Sequence, residues 1–540
     1  MEAPWLFASG VVTFFVLAPV AALAVTATGG SPELWQHLFA YVLPVAARDT
    51  IILLLGVGLV AGVVGTGSAW LVTAYDFPGR RTFTWALLLP LAVPTYIVAY
   101  AYLDVLHPVG PVQSALRALL GFDSPRQFRL PDVRSMTGCI LLLGFVLYPY
   151  VYLTTRAMFL MQASNLLDVA RTLGAGRGAV FFRVALPLAR PAIAVGVSLA
   201  LMEALNDIGA AEFLGVRTLT VSIYTTWVTR SDLPGAAQIA IAMLALVVGI
   251  VLVEQWARRR RRYANDAQGP RPMVPHRLFG IRAAAACCLA LVPVVLGFLV
   301  PASYLVGESV DRVRFAGVSP ALVTETWNTV ALSLLATVLT VTCALVVVYA
   351  VRVTRTRAPA MLARAASIGY AIPGSVLAIG ILPVAIGADR MIDAVWVPIA
   401  GASVGLLVLG SGAALLYAYL VRFLAIAAGG IESGLSRVSP SLDEAARTLG
   451  DGAIRRLRRI HLPLTRPALL SAALLVFVDC MKELPATLLL RPVGFETLAT
   501  HLYAEAARGT YEDAALAALL IVLGGLVPVV ILARVDQAVG

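Results

Sequence analysis

The chain has 540 residues, of which 60% are hydrophobic and only 13% charged, with a formal net charge of +11. No soluble surface can be built from that composition, and it excludes collagen, a disordered tail and a disulfide-rich secreted scaffold as well. The apolar residues, about 324 of them, suffice for roughly a dozen membrane-spanning helices of about 20 residues each.

In chain order the apolar runs predict spans at 5–25, 50–73, 85–105, 136–160, 191–214, 235–257, 284–305, 328–350, 366–386, 396–421, 467–490 and 513–533. The first run ends in small residues, Ala21-Ala22-Leu23-Ala24, as a cleaved signal peptide would. Its leader, however, carries Glu2 and no Lys or Arg, and its apolar stretch is long, so it reads as a retained span. Of the 41 basic residues only Lys482 is a lysine, and Met481-Lys482-Glu483 does not supply the G-x-x-x-x-G-K-[ST] phosphate loop. The arginines lie between the apolar runs. With both termini cytoplasmic, the inside segments collect about 28 of the 41 positive residues and the outside ones about 12. The positive charge is therefore a topology signal for a multi-pass protein in the lipid bilayer, with no nucleic-acid partner. Cys139, Cys287, Cys288, Cys343 and Cys480 sit in or beside apolar stretches without C-x-x-C spacing, and read as small core residues. His37, His107, His276, His461 and His501 are scattered, so no metal site is expected.

The chain repeats itself. Ala170-Arg171-Thr172-Leu173-Gly174 recurs as Ala446-Arg447-Thr448-Leu449-Gly450 at an offset of 276, which also carries Leu186-Pro187-Leu188 onto Leu462-Pro463-Leu464 and Arg190-Pro191-Ala192 onto Arg466-Pro467-Ala468. Upstream, Asp49-Thr50 matches Asn328-Thr329 and Val93-Pro94 matches Ile372-Pro373, both at an offset of 279. Two six-span halves in tandem, 1–265 and 266–540, are expected. An even number of spans gives the halves the same orientation, a parallel repeat about an axis near the membrane normal. Arg258 to Arg262, followed by Asn265-Asp266-Ala267-Gln268-Gly269-Pro270, forms a polar, breaker-rich junction.

The repeated motif falls between the fourth and fifth spans of each half, in loops at about 164–190 and 440–466. Ser441-Leu442-Asp443-Glu444 has the capping-box pattern S-x-x-E and predicts a short helix stopping at Gly450; Asn165, Asp168 and Gly174 hold the equivalent places in the first half. A second short run places Ile454, Leu457 and Ile460 at helical spacing and ends at Leu462-Pro463. Such a pair of helices either anchors on its own bundle at the membrane surface or presents a face to another protein. Its duplication favours a docking face for a doubled partner.

Glu444-Ala445-Ala446, Gly450, and then Ile460-x-Leu462-Pro463 after nine residues resemble the EAA motif, E-A-A-x3-G-x9-I-x-L-P, of the permease subunits of binding-protein-dependent ABC importers. The first half departs from it with Asp168, Val169 and Val184. The stretches Met481 to Thr487, Leu490-Arg491-Pro492 and Phe495 to Thr500 are similar in particular to ferric iron importer permeases of the fused two-half type. The resemblance implies an all-α, type I importer permease in a bacterial inner membrane. It implies ATPase-coupling roles for Asp168, Ala170, Gly174, Glu444, Ala445, Ala446 and Gly450. Two cytoplasmic ABC ATPase subunits would use the ATP and Mg, and an external solute-binding protein would deliver the ligand. The chain would be no enzyme and would hold no stable cofactor. Ferric iron is the first substrate implied, with thiamine or another small solute as an alternative.

Glu203, Asn206 and Asp207 correspond at the offset of 276 to Asp479, Lys482 and Glu483, within the fifth and eleventh spans. An ionisable group at mid-bilayer costs about 2.5–3.5 kcal/mol on insertion scales, so two matching trios require a reason. Spacings of i, i+3 and i+4 put each trio on one helix face, either as a cation pathway with an acidic excess or as a clamp in which Lys482 pairs with Asp479 or Glu483. An ion-coupled secondary transporter would also use parallel repeats and buried carboxylates, but needs no doubled interfacial helix.

Overall fold

The computed structural model describes residues 3–29, 32–161, 176–259, 275–354 and 356–539. The principal helices, in chain order, are α1 Ala3–Ala27, α2 Leu43–Ala74, α3 Thr95–Val105, α4 Met136–Met161, α5 Leu186–Asn206, α6 Leu233–Arg259, α7 Ile281–Ala316, α8 Pro320–Val353, α9 Gly374–Ala400, α10 Ala413–Ser436, α11 Leu462–Met481 and α12 Tyr511–Val539. Among the described residues ten helices are long and apolar enough to cross a membrane, eleven when the bent pair ending in α3 counts as one. α12, with 29 residues, takes the place of the twelfth expected span. The arginine-rich junction beyond Arg259, with the boundary at 265, lies outside the described residues.

Several of the expected spans are broken or displaced. The 85–105 segment bends by 91° between Arg80–Ala92 and α3. Its corner is Val93-Pro94, where proline drives the preceding residue to φ −105°, ψ 115°. The matching Ile372, before Pro373, has φ −82°, ψ 121°, and α9 starts only at Gly374 instead of 366. The tenth span runs over Ala413–Ser436, not 396–421. The intervening residues are apolar enough to pass for helix, but Gly401, Gly405 and Gly412 adopt φ of 75°, 76° and 82° and turn the chain. Asp393 accepts the Val404 N–H at 2.9 Å and Asp389 the Val408 N–H at 2.6 Å, holding that turn.

Two compact units are present, and neither coincides with one sequence half. One comprises residues 1–40, 222–244 and 318–501, the other 41–221, 245–317 and 502–540. In the first unit α1 packs on α8 and α9, so close that a Cβ on Gly380 would lie 2.4 Å from the Pro19 carbonyl oxygen. In the second, α2 packs along α4, α5 lies against both, and α7 lies against α3 and α12. Each unit contains the same tie. The Leu219 N–H donates to the buried Thr50 hydroxyl at 3.0 Å in one, and the Leu498 N–H to Thr329 at 2.8 Å in the other. That shared bond is the physical content of the Asp49-Thr50 and Asn328-Thr329 match.

Small residues bring helices together where no aqueous hydrophobic effect acts. Gly430 and Gly434 of α10 face Ala472 and Ala468 of α11, with 2.8 and 2.6 Å between an added Cβ and each alanine methyl. Gly434→Val is expected to lower the unfolding stability of the purified protein in detergent by about 1–3 kcal/mol. Gly429→Ala, whose Cβ would meet nothing within 4 Å, should leave it unchanged. A melting temperature unmoved by Gly434→Val would contradict this packing.

Candidate functional site

The first-half loop residues Asp168, Ala170 and Gly174 lie outside the described residues. The second loop is described throughout. Its first helix spans Pro440–Thr448 and is capped by Ser439, whose hydroxyl accepts the Ser441 N–H at 3.3 Å. The capping box predicted at Ser441 and Glu444 therefore gives way to a start two residues earlier, because Pro440 is suited to the first helical position. Glu444 and Ala445 are exposed, whereas Ala446 is buried. The helix stops where Gly450 adopts φ 83°, with its N–H bonded to the Arg447 carbonyl at 3.0 Å and the Asp451 N–H bonded to Ala446 at 2.9 Å. The second run does not end at Leu462-Pro463. It continues from Ala453 through a π turn at Leu457–His461 into α11. The expected apolar stripe divides, with Leu457 buried and Ile454 exposed.

The inner side of this loop is polar and tightly held. Asp443 is buried; it accepts from Arg352 at 2.8 Å and lies 3.4 Å from the Arg456 guanidinium and 3.0 Å from His461 Nε2. Tyr349 donates its hydroxyl to the Ala453 carbonyl at 2.7 Å and packs edge-on against His461 and Trp5. The outer side carries Glu444, Leu449 at 84% exposure and Ile454 at 59%, with Arg447, Arg455, Arg458 and Arg459 around them. An ordered helix with apolar side chains pointing away from its own bundle suits a protein partner. Sequence reasoning missed Asp443, Arg352, Arg456 and His461, which lie apart along the chain. The signal available was Asp443 itself, an acid in the second loop with Leu167 in its place in the first.

The two intramembrane trios sit at helix breaks. α5 ends at Asn206, Asp207 is extended, and a short helix Gly209–Phe213 follows. α11 ends at Met481, and Pro485–Leu490 follows Leu484. The break occurs at the same place because each trio ends in a carboxylate that caps the next helix. Asp207 accepts the Ala210 N–H at 2.6 Å and the Thr95 hydroxyl. Glu483 accepts the N–H groups of Ala486 at 3.2 Å and Thr487 at 3.1 Å. Thr95 of the first half corresponds to Gly374 of the second. A Cβ on Gly374 would lie 2.6 Å from Glu483 Oε1 and 2.8 Å from Arg422 Nη1, so the missing side chain is the space they fill. Arg422 and Glu483 are both buried, with Nε and Oε1 3.9 Å apart. Lys482 pairs with Asp479 at 2.8 Å, each about a third exposed, and Glu203 and Asn206 are half-buried. The carboxylates thus divide into buried caps, Asp207 and Glu483, and partly accessible members, Glu203 and Asp479.

Over residues 58–263 and again over 336–540 the chain matches the family described as the binding-protein-dependent transport system inner membrane component. It belongs to that family. The permease is 24% identical to the Fe(3+)-transport system permease protein FbpB 2 of Haemophilus influenzae over 496 residues, 90% of this chain and 89% of that protein. It is 32% identical over 197 residues to the molybdenum transport system permease protein ModB of Escherichia coli, 35% of this chain and 82% of the relative. It is 27% identical over 273 residues to the sulfate transport system permease protein CysT of Synechocystis, 49% of this chain and 91% of the relative. The permease is therefore a multi-pass, two-half ABC importer component.

Proposed function

We propose that the permease imports ferric iron, delivered by an external solute-binding protein and driven by two cytoplasmic ATPase subunits docked at the loops 164–190 and 440–466. The observation that carries this reading is the second loop, whose inner side is tied to α8 by Arg352 and Tyr349 while Glu444, Leu449 and Ile454 stand exposed. Iron is supported by the relative that matches along 90% of the chain. The partly accessible carboxylates at the helix breaks, Glu203 in one unit and Asp479 in the other, also suit a cationic cargo. Closure of the ATPase dimer on ATP moves the loops and opens the path outward; hydrolysis returns it. The permease performs no bond chemistry and holds no cofactor, ATP and Mg acting in the partners. It lies in the bacterial inner membrane with both termini cytoplasmic, on the distribution of its arginines.

Charge reversal on the exposed face tests the docking directly. The double variant Glu444→Arg, Leu449→Asp changes two exposed side chains, so folding is retained. It is expected to lower recovery of the ATPase with the tagged permease by about tenfold or more, the loss associated with a truncated interface anchor. Recovery equal to that of the parent protein would sink the assignment of this face.

A further inference from the structure

We propose that the second loop is joined rigidly to α8 by Arg352 and Asp443, as positioning residues for the coupling stroke, and that Thr73 and Leu167, at the matching places of the first half, are of types that form no such ion pair, so the two loops transmit unequally. The inference rests on the coupling reading given above. Arg352 occupies the last turn of α8 and spreads its guanidinium over three partners. Nε reaches Asp443 Oδ2 at 2.8 Å, Nη1 the Leu435 carbonyl at 2.5 Å and Nη2 the Val438 carbonyl at 2.8 Å. The Leu435 carbonyl lies in the last turn of α10 and the Val438 carbonyl two residues beyond its end. One side chain therefore ties α8, the end of α10 and the loop helix Pro440–Thr448. Tyr349, one turn earlier, reaches the Ala453 carbonyl beyond Gly450, so both arms of the loop are gripped by the same turn. Asp443 is also held from below by Arg456 and His461, and its side chain is only 12% exposed, which leaves it no face for a partner.

The internal repeat supplies the control. The offsets of 279 for α8 and 276 for the loop place Thr73, Leu167, Val180 and Ala185 opposite Arg352, Asp443, Arg456 and His461. All four polar members are replaced together. The Thr73 hydroxyl bonds back to the Ala69 carbonyl within its own helix. Trp70, opposite Tyr349, packs by ring contact on Phe159 and Phe181, with centroids 5.2 and 5.1 Å away. Apolar contact is non-directional and lets surfaces slide, whereas a charge-assisted fork fixes distance and angle. A stroke delivered to the second loop thus moves α8 and α10 as one body.

The test transplants the first-half set into the second half, as Arg352→Thr, Asp443→Leu, Arg456→Val and His461→Ala together, which leaves no buried charge alone; Asp443→Asn is the single-site companion. In a cysteine-free background, spin labels at Leu449→Cys and Val351→Cys report the loop-to-α8 distance in the permease alone. The parent protein should give one narrow distribution, and both variants a clearly broader one. In the assembled importer, ATPase recovery should be unchanged, while transport per ATP hydrolysed falls about fivefold or more. Distributions of equal width, or equal transport per ATP, would overturn the joint. If the ATPase fails to bind even the parent protein, the docking reading falls, and the distance measurement still decides the joint.

Discussion

Glu483→Ala is expected to destabilise the permease by about 3–5 kcal/mol, the range for removing one partner of a buried ion pair. The substitution removes the carboxylate 3.9 Å from the buried Arg422 guanidinium and strips the caps from Ala486 and Thr487. Thermal unfolding in detergent measures it. The paired variant Arg422→Met, Glu483→Leu should recover much of the loss, because no charge is then stranded. Asp479→Asn and Lys482→Met, which break a partly exposed pair, should cost no more than about 1 kcal/mol. The contrast separates clamp from pathway within the same trio. If Glu483→Ala melts like the parent protein but fails to transport, Glu483 belongs to the pathway, and its role as cap and clamp is wrong.

Gly450→Val should abolish most ATP-driven transport with little change in melting temperature. A β-branched residue at φ 83° is a steric outlier, costing about 1–2 kcal/mol locally. The turn is exposed, so the chain relieves the strain by re-aiming Leu449 and the turn after the helix Pro440–Thr448, not by unfolding. That displaces Leu449 from its partner while Asp443 still holds the helix. ATP hydrolysis by the bound ATPase should then continue with transport at least about tenfold lower, a coupling loss of roughly 1.4 kcal/mol. Normal transport by Gly450→Val would show that the turn geometry is not transmitted. Gly174 holds the same place in the first loop by the repeat, and the double glycine variant should be no more active than the single.

Much of this was legible in the sequence because its causes are local or repeated. Composition gives the membrane, and an offset of 276 gives the two loops. The Thr50 and Thr329 match proved to be a conserved bond between a helix and a turn within each unit. What escaped was set by partners distant along the chain. Hydropathy alone does not distinguish the turn at Gly401 to Gly412 from a span, since Val404, Leu406 and Leu407 are as apolar as a helix core. The charged trios looked like helix faces because i, i+3 and i+4 fit a continuous helix. The breaks come from Asp207 and Glu483 turning their carboxylates onto the next helix. Asp443 falls on an unspecified position of the S-x-x-E pattern, whereas Arg352, 91 residues earlier, makes it the anchor of the loop.

Uptake of radioactive ferric iron into proteoliposomes containing the permease with its two ATPase subunits, the iron supplied on its binding protein outside, tests the central claim most directly. The account predicts accumulation that requires ATP with Mg at the ATPase side, stops with vanadate, and ignores a collapsed proton or sodium gradient. Accumulation that continues without ATP and follows an imposed ion gradient would contradict it.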